Sequence, residues 1–224
     1  MCIDPQRAGH SMIDALILDL DNCLAPATEV NRELYDEALA AIRQANDGSI
    51  SEAILDAAFH ALWSTAYDVV AREHGFTEAM AAAGWQAFCR FEVNHPMRGY
   101  GDLERLADFD MPLCLVTSGF RRLQASKIRA LGIAAQFREA VVDAIDETPR
   151  LGKRGHFERL IATHGWRAEN IWIAGDSPHS ELAAGRAIGA VTVQTLRPGV
   201  LRSDIADHHV QDLGELLALM QRHR

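Results

Sequence analysis

Asp19 and Asp21 stand two residues apart where the apolar run 13–18 ends. In an extended chain a spacing of two puts side chains on one face. A third acid, Asp176, closes another apolar run at 171–174, directly after Gly175, and glycine permits close backbone approach. If the two runs are neighbouring strands, Asp19 and Asp176 converge. At ~4 Å and an effective dielectric of ~20, two such charges repel by about 4 kcal/mol. A fold tolerates that when a cation or a shared proton lies between them. Oxygen donors without His or Cys suit a hard ion, and Mg2+ is the usual one beside phosphate. An Asp-x-Asp alone is ordinary for a solvated turn; its weight comes from its company.

That company is threefold. Thr117, Ser118 and Gly119 follow a second apolar run, 112–116, and precede a helical pattern. Hydroxyls and backbone N–H groups at a helix start cradle anions, although a plain N-cap looks the same. Lys153 lies between Gly152 and Gly155, ahead of a helix expected from about His156. It can neutralise an aspartate and a bound phosphate together, where an exposed loop lysine is the commoner case. Arg150 and Arg154 are close enough to compete for that role. Glu181 adds an acid at a further helix start, a place the helix dipole also favours for structural reasons.

These residues need elements to position them. Short apolar runs at 13–18, 112–116, 140–142, 171–174 and 190–193 read as buried strands, the first four ending at Asp19, Thr117, Asp143 and Gly175, the last before Gln194. Helical patterns separate them, such as 121–130 closed by Gly132 and 156–164 closed by Gly165. That alternation predicts an α/β fold with a parallel sheet covered on both faces, and ligands in such sheets sit beyond the carboxyl ends of the strands. The stretch 26–96 breaks the pattern. Leu34, Ala38, Ala41, Ile42 and Ala45 share one helical face; Ile54, Ala58, Leu62, Thr65 and Val69 form a second stripe running to His74 and Gly75. Thr77 offers an N-cap for a third helix through about Phe91. Residues 1–11 read as a loose polar leader, and His208 and His209 as surface before a last short strand at Val210.

Composition narrows the function classes. The chain has 224 residues, 48% hydrophobic and 24% charged, with a net charge of -9. No Lys/Arg cluster can track a nucleic-acid backbone, which disfavours polyanion partners. No segment is long enough to span a membrane, and the run 12–18 is too short for a signal peptide. Cys2, Cys23, Cys89 and Cys114 lack disulfide-scaffold or metal-site spacing, so a reducing cytoplasm is expected. Nothing here sets an oligomeric state.

Taken in order, the four pieces resemble the haloacid dehalogenase (HAD) superfamily. Its first motif corresponds to Leu18-Asp19-Leu20-Asp21-Asn22-Cys23-Leu24, its second to Leu115-Val116-Thr117-Ser118-Gly119, its third to Lys153 and its fourth to Gly175-Asp176 through Glu181. The ordered set is far more specific than any one motif. The resemblance implies a Rossmann-like, doubly wound parallel-sheet core formed by 1–24 and 97–224, with an inserted all-helical C1-type cap at 25–96. The run Thr117-Ser118-Gly119-Phe120 through Gln124-Ala125-Ser126-Lys127-Ile128 looks like the nucleotidase-like branch of small bacterial phosphatases.

By this resemblance Asp19 attacks phosphorus of a small phosphorylated metabolite to give an aspartyl-phosphate. Asp21 protonates the leaving oxygen and then activates water. Mg2+ is held by the Asp19 carboxylate, the Asp21 backbone carbonyl and Asp176, with Glu181 acting through water. Thr117, Ser118 and Gly119 hold the phosphate, and Lys153 stabilises Asp19 and the transition state. Three positions depart from the pattern: Cys23 stands where Thr is usual, Arg154 follows Lys153 in place of Pro, and Glu181 replaces the more frequent Asp. The second aspartate, Asp21, favours phosphate over carbon–halogen substrates.

A phosphomutase of the same superfamily shares every motif. A phosphoacceptor signalling module and a non-catalytic binding protein of this fold are weaker rivals. Arg90, His95 and Arg98 fall where the cap should return to the core and read as a polar hinge; His179 borders the fourth motif; Trp63 and Tyr67 read as cap packing or as the cap's inner face.

Overall fold

The computed structural model describes residues 13–30 and 32–223, so the leader at 1–11 lies outside the described residues. Six parallel strands form one sheet in the order β3-β2-β1-β4-β5-β6. They are β1 (Ala15–Leu18), β2 (Leu113–Gly119), β3 (Glu139–Ala144), β4 (Ile171–Gly175), β5 (Val191–Thr195) and β6 (His208–Val210). The chain runs outward from β1 to β3, then returns to the other side of β1 at β4. β1 is therefore where the winding reverses, the position at which open α/β sheets bind ligands.

Each central strand is apolar on both sides because each side faces a helical layer. Leu16, Leu18, Leu113, Leu115, Trp172 and Ala174 pack toward α8 (Leu213–Gln221) and the short turn at Leu103–Asp108. Ala15, Ile17, Cys114, Val116, Ile171 and Ile173 pack toward α6 (Gly152–His164) and α7 (Glu181–Ala187). This two-residue alternation decides which layer a residue at a strand end meets. The helix α5 (Arg121–Leu131) ends at Gly132 and α6 at Gly165, both left-handed with φ near 69° and 67°, as helix-stop glycines require.

Among the described residues, four α-helices lie between β1 and β2: α1 (Arg32–Ala45), α2 (Glu52–Ala61), α3 (Tyr67–Glu73) and α4 (Glu78–Phe88). They bury their own apolar cluster, including Tyr35, Ile42, Leu55, Val70, Met80 and Phe88, which Phe120, Leu123 and Ile145 join from the sheet side. Thr77 caps α4 by accepting from the Met80 N–H at 3.3 Å, as expected.

Several boundaries differ from the sequence reading. The stripe 54–69 is two helices, not one, because the chain turns at 62–66 and Ala66 is extended. Of that stripe Ala58 and Leu62 are buried as expected, while Ile54 is exposed and Leu55 and Phe59 are buried beside them. The helix expected to follow Thr77 stops at Phe88 rather than Phe91. His208 and His209 lie within β6, not before it. Among the described residues no helix is long and apolar enough to cross a membrane.

Candidate active site

Asp19 follows Leu18 at the end of β1 and continues the odd-numbered series that faces α6. Lys153 comes from that helix. It sits in the first turn of α6, not in a loop before it, since the helix begins at Gly152. Its Nζ is 2.8 Å from Asp19 Oδ1 and 2.8 Å from Glu181 Oε2, and all three side chains are buried. Asp176, just past β4, completes a group in which Asp19, Asp176 and Glu181 place carboxylate oxygens within 4.8 Å of one another. β1 and β4 pair directly, Leu18 opposite Ala174, and that pairing carries the two aspartates to adjacent strand ends.

The surroundings hold this group in place. Glu181 Oε1 accepts the Ser177 N–H at 2.6 Å, so both of its oxygens are engaged. Gly175 lets that carboxyl tuck against the backbone, because a Cβ there would run into it. Gln194, fully buried on β5, donates from Nε2 to the Asp176 carbonyl at 3.0 Å. Asp143, inside β3, accepts from Ser118 Oγ at 3.1 Å, from Arg150 Nε at 3.0 Å and from the Gly152 N–H at 2.9 Å. The last contact pins the start of α6, and with it Lys153.

Asp21 points elsewhere. Its carboxylate is outside the acidic group and is met by Lys127 Nζ at 2.8 and 2.9 Å and by Gln124 Nε2 at 2.9 Å. A ligand from Asp21 is thus left to its main-chain carbonyl. Asn22 takes a left-handed φ of 55°, which asparagine tolerates. Its side chain donates to the Trp63 carbonyl at 3.1 Å, tying this loop to the turn after α2. Cys23, at the position where Thr was the expected residue, is fully buried with Sγ 3.7 Å from the Ala174 carbonyl.

A cavity of about 460 Å³ opens over the group. Asp19, Asp21, Thr117, Ser118, Gly119, Lys153 and Asp176 all line it, as do Trp63, Tyr67 and His179. Arg90, His95 and Arg98 are not part of that lining and are exposed. Sequence reasoning gave no role to Lys127, Gln124, Asp143 or Gln194. In the sequence Asp143 marks only a strand ending, and Gln124 and Lys127 only belong to a run similar to one branch of the superfamily.

Electrostatics follow from burial. Asp19 is pushed up to about 7, first by desolvation, with Lys153 opposing and Glu181 adding to the rise. Asp176 is pushed up to about 8 by desolvation, then by Glu181 and Asp19. Burial draws Lys153 down, but Asp19 and Glu181 outweigh it and hold the ammonium above its ordinary value. Three clustered carboxylates share one ammonium. The donor set is all oxygen and short of positive charge, which fits a hard divalent cation.

A family model for haloacid dehalogenase-like hydrolases matches residues 13–189. No curated protein matches the chain. Solved structures of the same fold include a protein described as the HAD-hydrolase YfnB of Bacillus subtilis, bound to magnesium. It has a TM-score of 0.63 and 16% identity over 93% of this chain and 99% of that one. A predicted phosphoglycolate phosphatase of Haemophilus somnus aligns with a TM-score of 0.62 and 17% identity over 94% and 99%. A protein described as a beta-phosphoglucomutase of Thermotoga maritima aligns at 0.54 and 16% over 93% and 99%. With the model's match covering most of its length, the chain belongs to the haloacid dehalogenase-like hydrolases.

Proposed function

We propose that this hydrolase is a Mg2+-dependent phosphatase of small phosphate monoesters, with Asp19 as nucleophile and Asp21 as acid and base. The observation that carries the reading is Lys153 Nζ, 2.8 Å from both Asp19 and Glu181, beside Asp176 at the floor of a cavity that Thr117 also lines. That arrangement gathers a nucleophile, a fixed cation and a metal-ready carboxylate set where a phosphoryl group fits. The helices at 25–96 serve as the cap over a core whose described part is 13–24 and 97–223.

The substrate's phosphoryl group enters with its oxygens toward Thr117, Ser118 and Gly119. An Asp19 carboxylate oxygen attacks phosphorus as the bond to the leaving oxygen breaks, and Asp21 gives that oxygen a proton. Asp21, now a carboxylate, takes a proton from a water whose oxygen attacks phosphorus, and the bond to Asp19 breaks to release phosphate. Lys153 offsets charge on Asp19 and the phosphoryl oxygens throughout. Asp19, the Asp21 carbonyl and Asp176 would hold Mg2+, which when bound neutralises phosphoryl charge and helps align the displacement. Tyr35, Trp63, Tyr67 and Phe88 line the cap side and shield the site from bulk water.

Asp19→Asn should abolish phosphate release from an aryl phosphate while leaving the fold intact by circular dichroism. Retention of most activity would overturn the reading. A mutase shares these residues, so the products of a sugar phosphate are the second assay: free phosphate supports the phosphatase, an isomeric sugar phosphate the mutase.

A further inference from the structure

Of two buried lysines beside the cavity, only Lys153 belongs to the acidic group; Lys127 serves a different carboxylate. Resting on the phosphatase reading above, we propose that Lys127 and Gln124 are positioning residues that aim the Asp21 carboxylate at the leaving-group oxygen.

Gln124 and Lys127 lie three residues apart on α5, which makes them neighbours on one helical face. That face is turned inward: Gln124 is 4% exposed and Lys127 2%. A lysine is almost never buried so fully without a partner. Here Nζ spans both oxygens of Asp21, at 2.8 and 2.9 Å. Gln124 Nε2 is 2.9 Å from Asp21 Oδ2 and 2.9 Å from the Ser118 carbonyl, so it also links Asp21 to the Thr117–Gly119 segment. Gly119, with φ 151°, leaves room for this amide; a Cβ there would stand 2.7 Å from Nε2. Three donor contacts thus fix the carboxylate, while the Asp21 side chain keeps 22% of its surface exposed and borders the cavity.

A purely structural ion pair is the plain alternative. It is a poor account of this site, because burying two charges costs desolvation that apolar packing at the same place avoids. The polar groups here converge on the carboxylate whose proton must be aimed at the leaving group. Proton transfer demands hydrogen-bond reach, and a misplacement of about 1 Å costs roughly 10²-fold.

The test compares phenyl phosphate with 4-nitrophenyl phosphate, esters of similar shape whose leaving groups differ in their need for a proton. Lys127→Met and Gln124→Met are examined separately; the second removes no charge and keeps side-chain volume, so it reports even where the first fails to fold. In each folded variant kcat on phenyl phosphate should fall about tenfold or more beyond any fall on 4-nitrophenyl phosphate, with KM little changed. Combined with Asp21→Asn, neither substitution should slow the enzyme further. Equal losses on both esters, or losses that simply multiply with Asp21→Asn, would overturn the positioning role while leaving the phosphatase reading intact. Absence of wild-type turnover on either ester would remove both.

Discussion

Arg150 and Asp68 join the sheet side to the helical side of the cavity: Nη1 of the first is 2.6 Å from Oδ2 of the second, each about a third exposed. Arg150 also holds Asp143, so the bridge runs from α3 to the strand that pins the start of α6. At this exposure such a pair contributes no more than about 1 kcal/mol, roughly fivefold in an equilibrium. Asp68→Asn should therefore raise KM by up to about fivefold at low salt, with kcat changed less. The check is KM against NaCl concentration. Wild type should approach the variant as salt screens the pair, and parallel curves would dismiss the bridge.

The sheet was legible because strands buried on both faces are short continuous apolar runs, and the polar residues ending them pointed to Asp19, Thr117 and Asp176 before any geometry was known. What stayed hidden was interaction across helices. The stripe Ile54 to Val69 satisfies a helical period while the chain turns within it, since periodicity does not register an extended Ala66. Lys127 was invisible for a related reason: a lysine on a helix reads as solvent-facing, and only packing against Asp21 reverses that. Glycines on both sides of Lys153 suggested a loop, whereas Gly152 starts the helix with its N–H on Asp143.

Lys153→Met should be the most damaging single change that leaves every carboxylate in place. It would leave Asp19, Asp176 and Glu181 crowded without their ammonium. Removing one member of a buried ion pair costs about 3–5 kcal/mol, which for a chain of this size lowers Tm by on the order of 10 °C. Phosphate release should drop roughly 10²–10³-fold. Calorimetry of the metal-free protein and a phosphate assay check the two separately; a variant as stable as wild type would show that the burial is not strained by charge.

Stability of the metal-free protein should fall as pH rises from about 5 to about 8. Asp19 and Asp176 keep their protons up to about 7 and about 8 because burial disfavours their charged forms. Between the usual carboxylate range and those values the folded chain binds more protons than the unfolded one, so the slope of stability with pH is negative. Glu92, held low by Arg122 and Arg129, and Glu147, held low by Arg121, act in the opposite sense at acid pH; His156 and His208, drawn down chiefly by burial, also oppose the fall within the window, but by less than the two buried aspartates contribute to it. Added Mg2+ should raise Tm, and the increment should grow across the same window as the ligands ionise. A metal-free Tm that climbs steadily between these pH values would contradict the burial account.

Gly175→Ala tests whether Glu181 matters through its placement. A Cβ at this position meets the Glu181 carboxyl group, which lies close to the strand end and has Ser177 and Lys153 as partners. The Glu181 carboxyl must swing aside to make room, and the contact to Lys153 lengthens with it. Overpacking of this kind costs about 1–3 kcal/mol, small enough for the fold to survive. The larger effect should fall on the cation: the Mg2+ concentration for half-maximal activity should rise by about tenfold or more, as for changes behind a metal's direct ligands. Titrating activity with Mg2+ in folded Gly175→Ala protein decides the point. An unchanged midpoint would mean that Glu181 takes no part in organising the metal site.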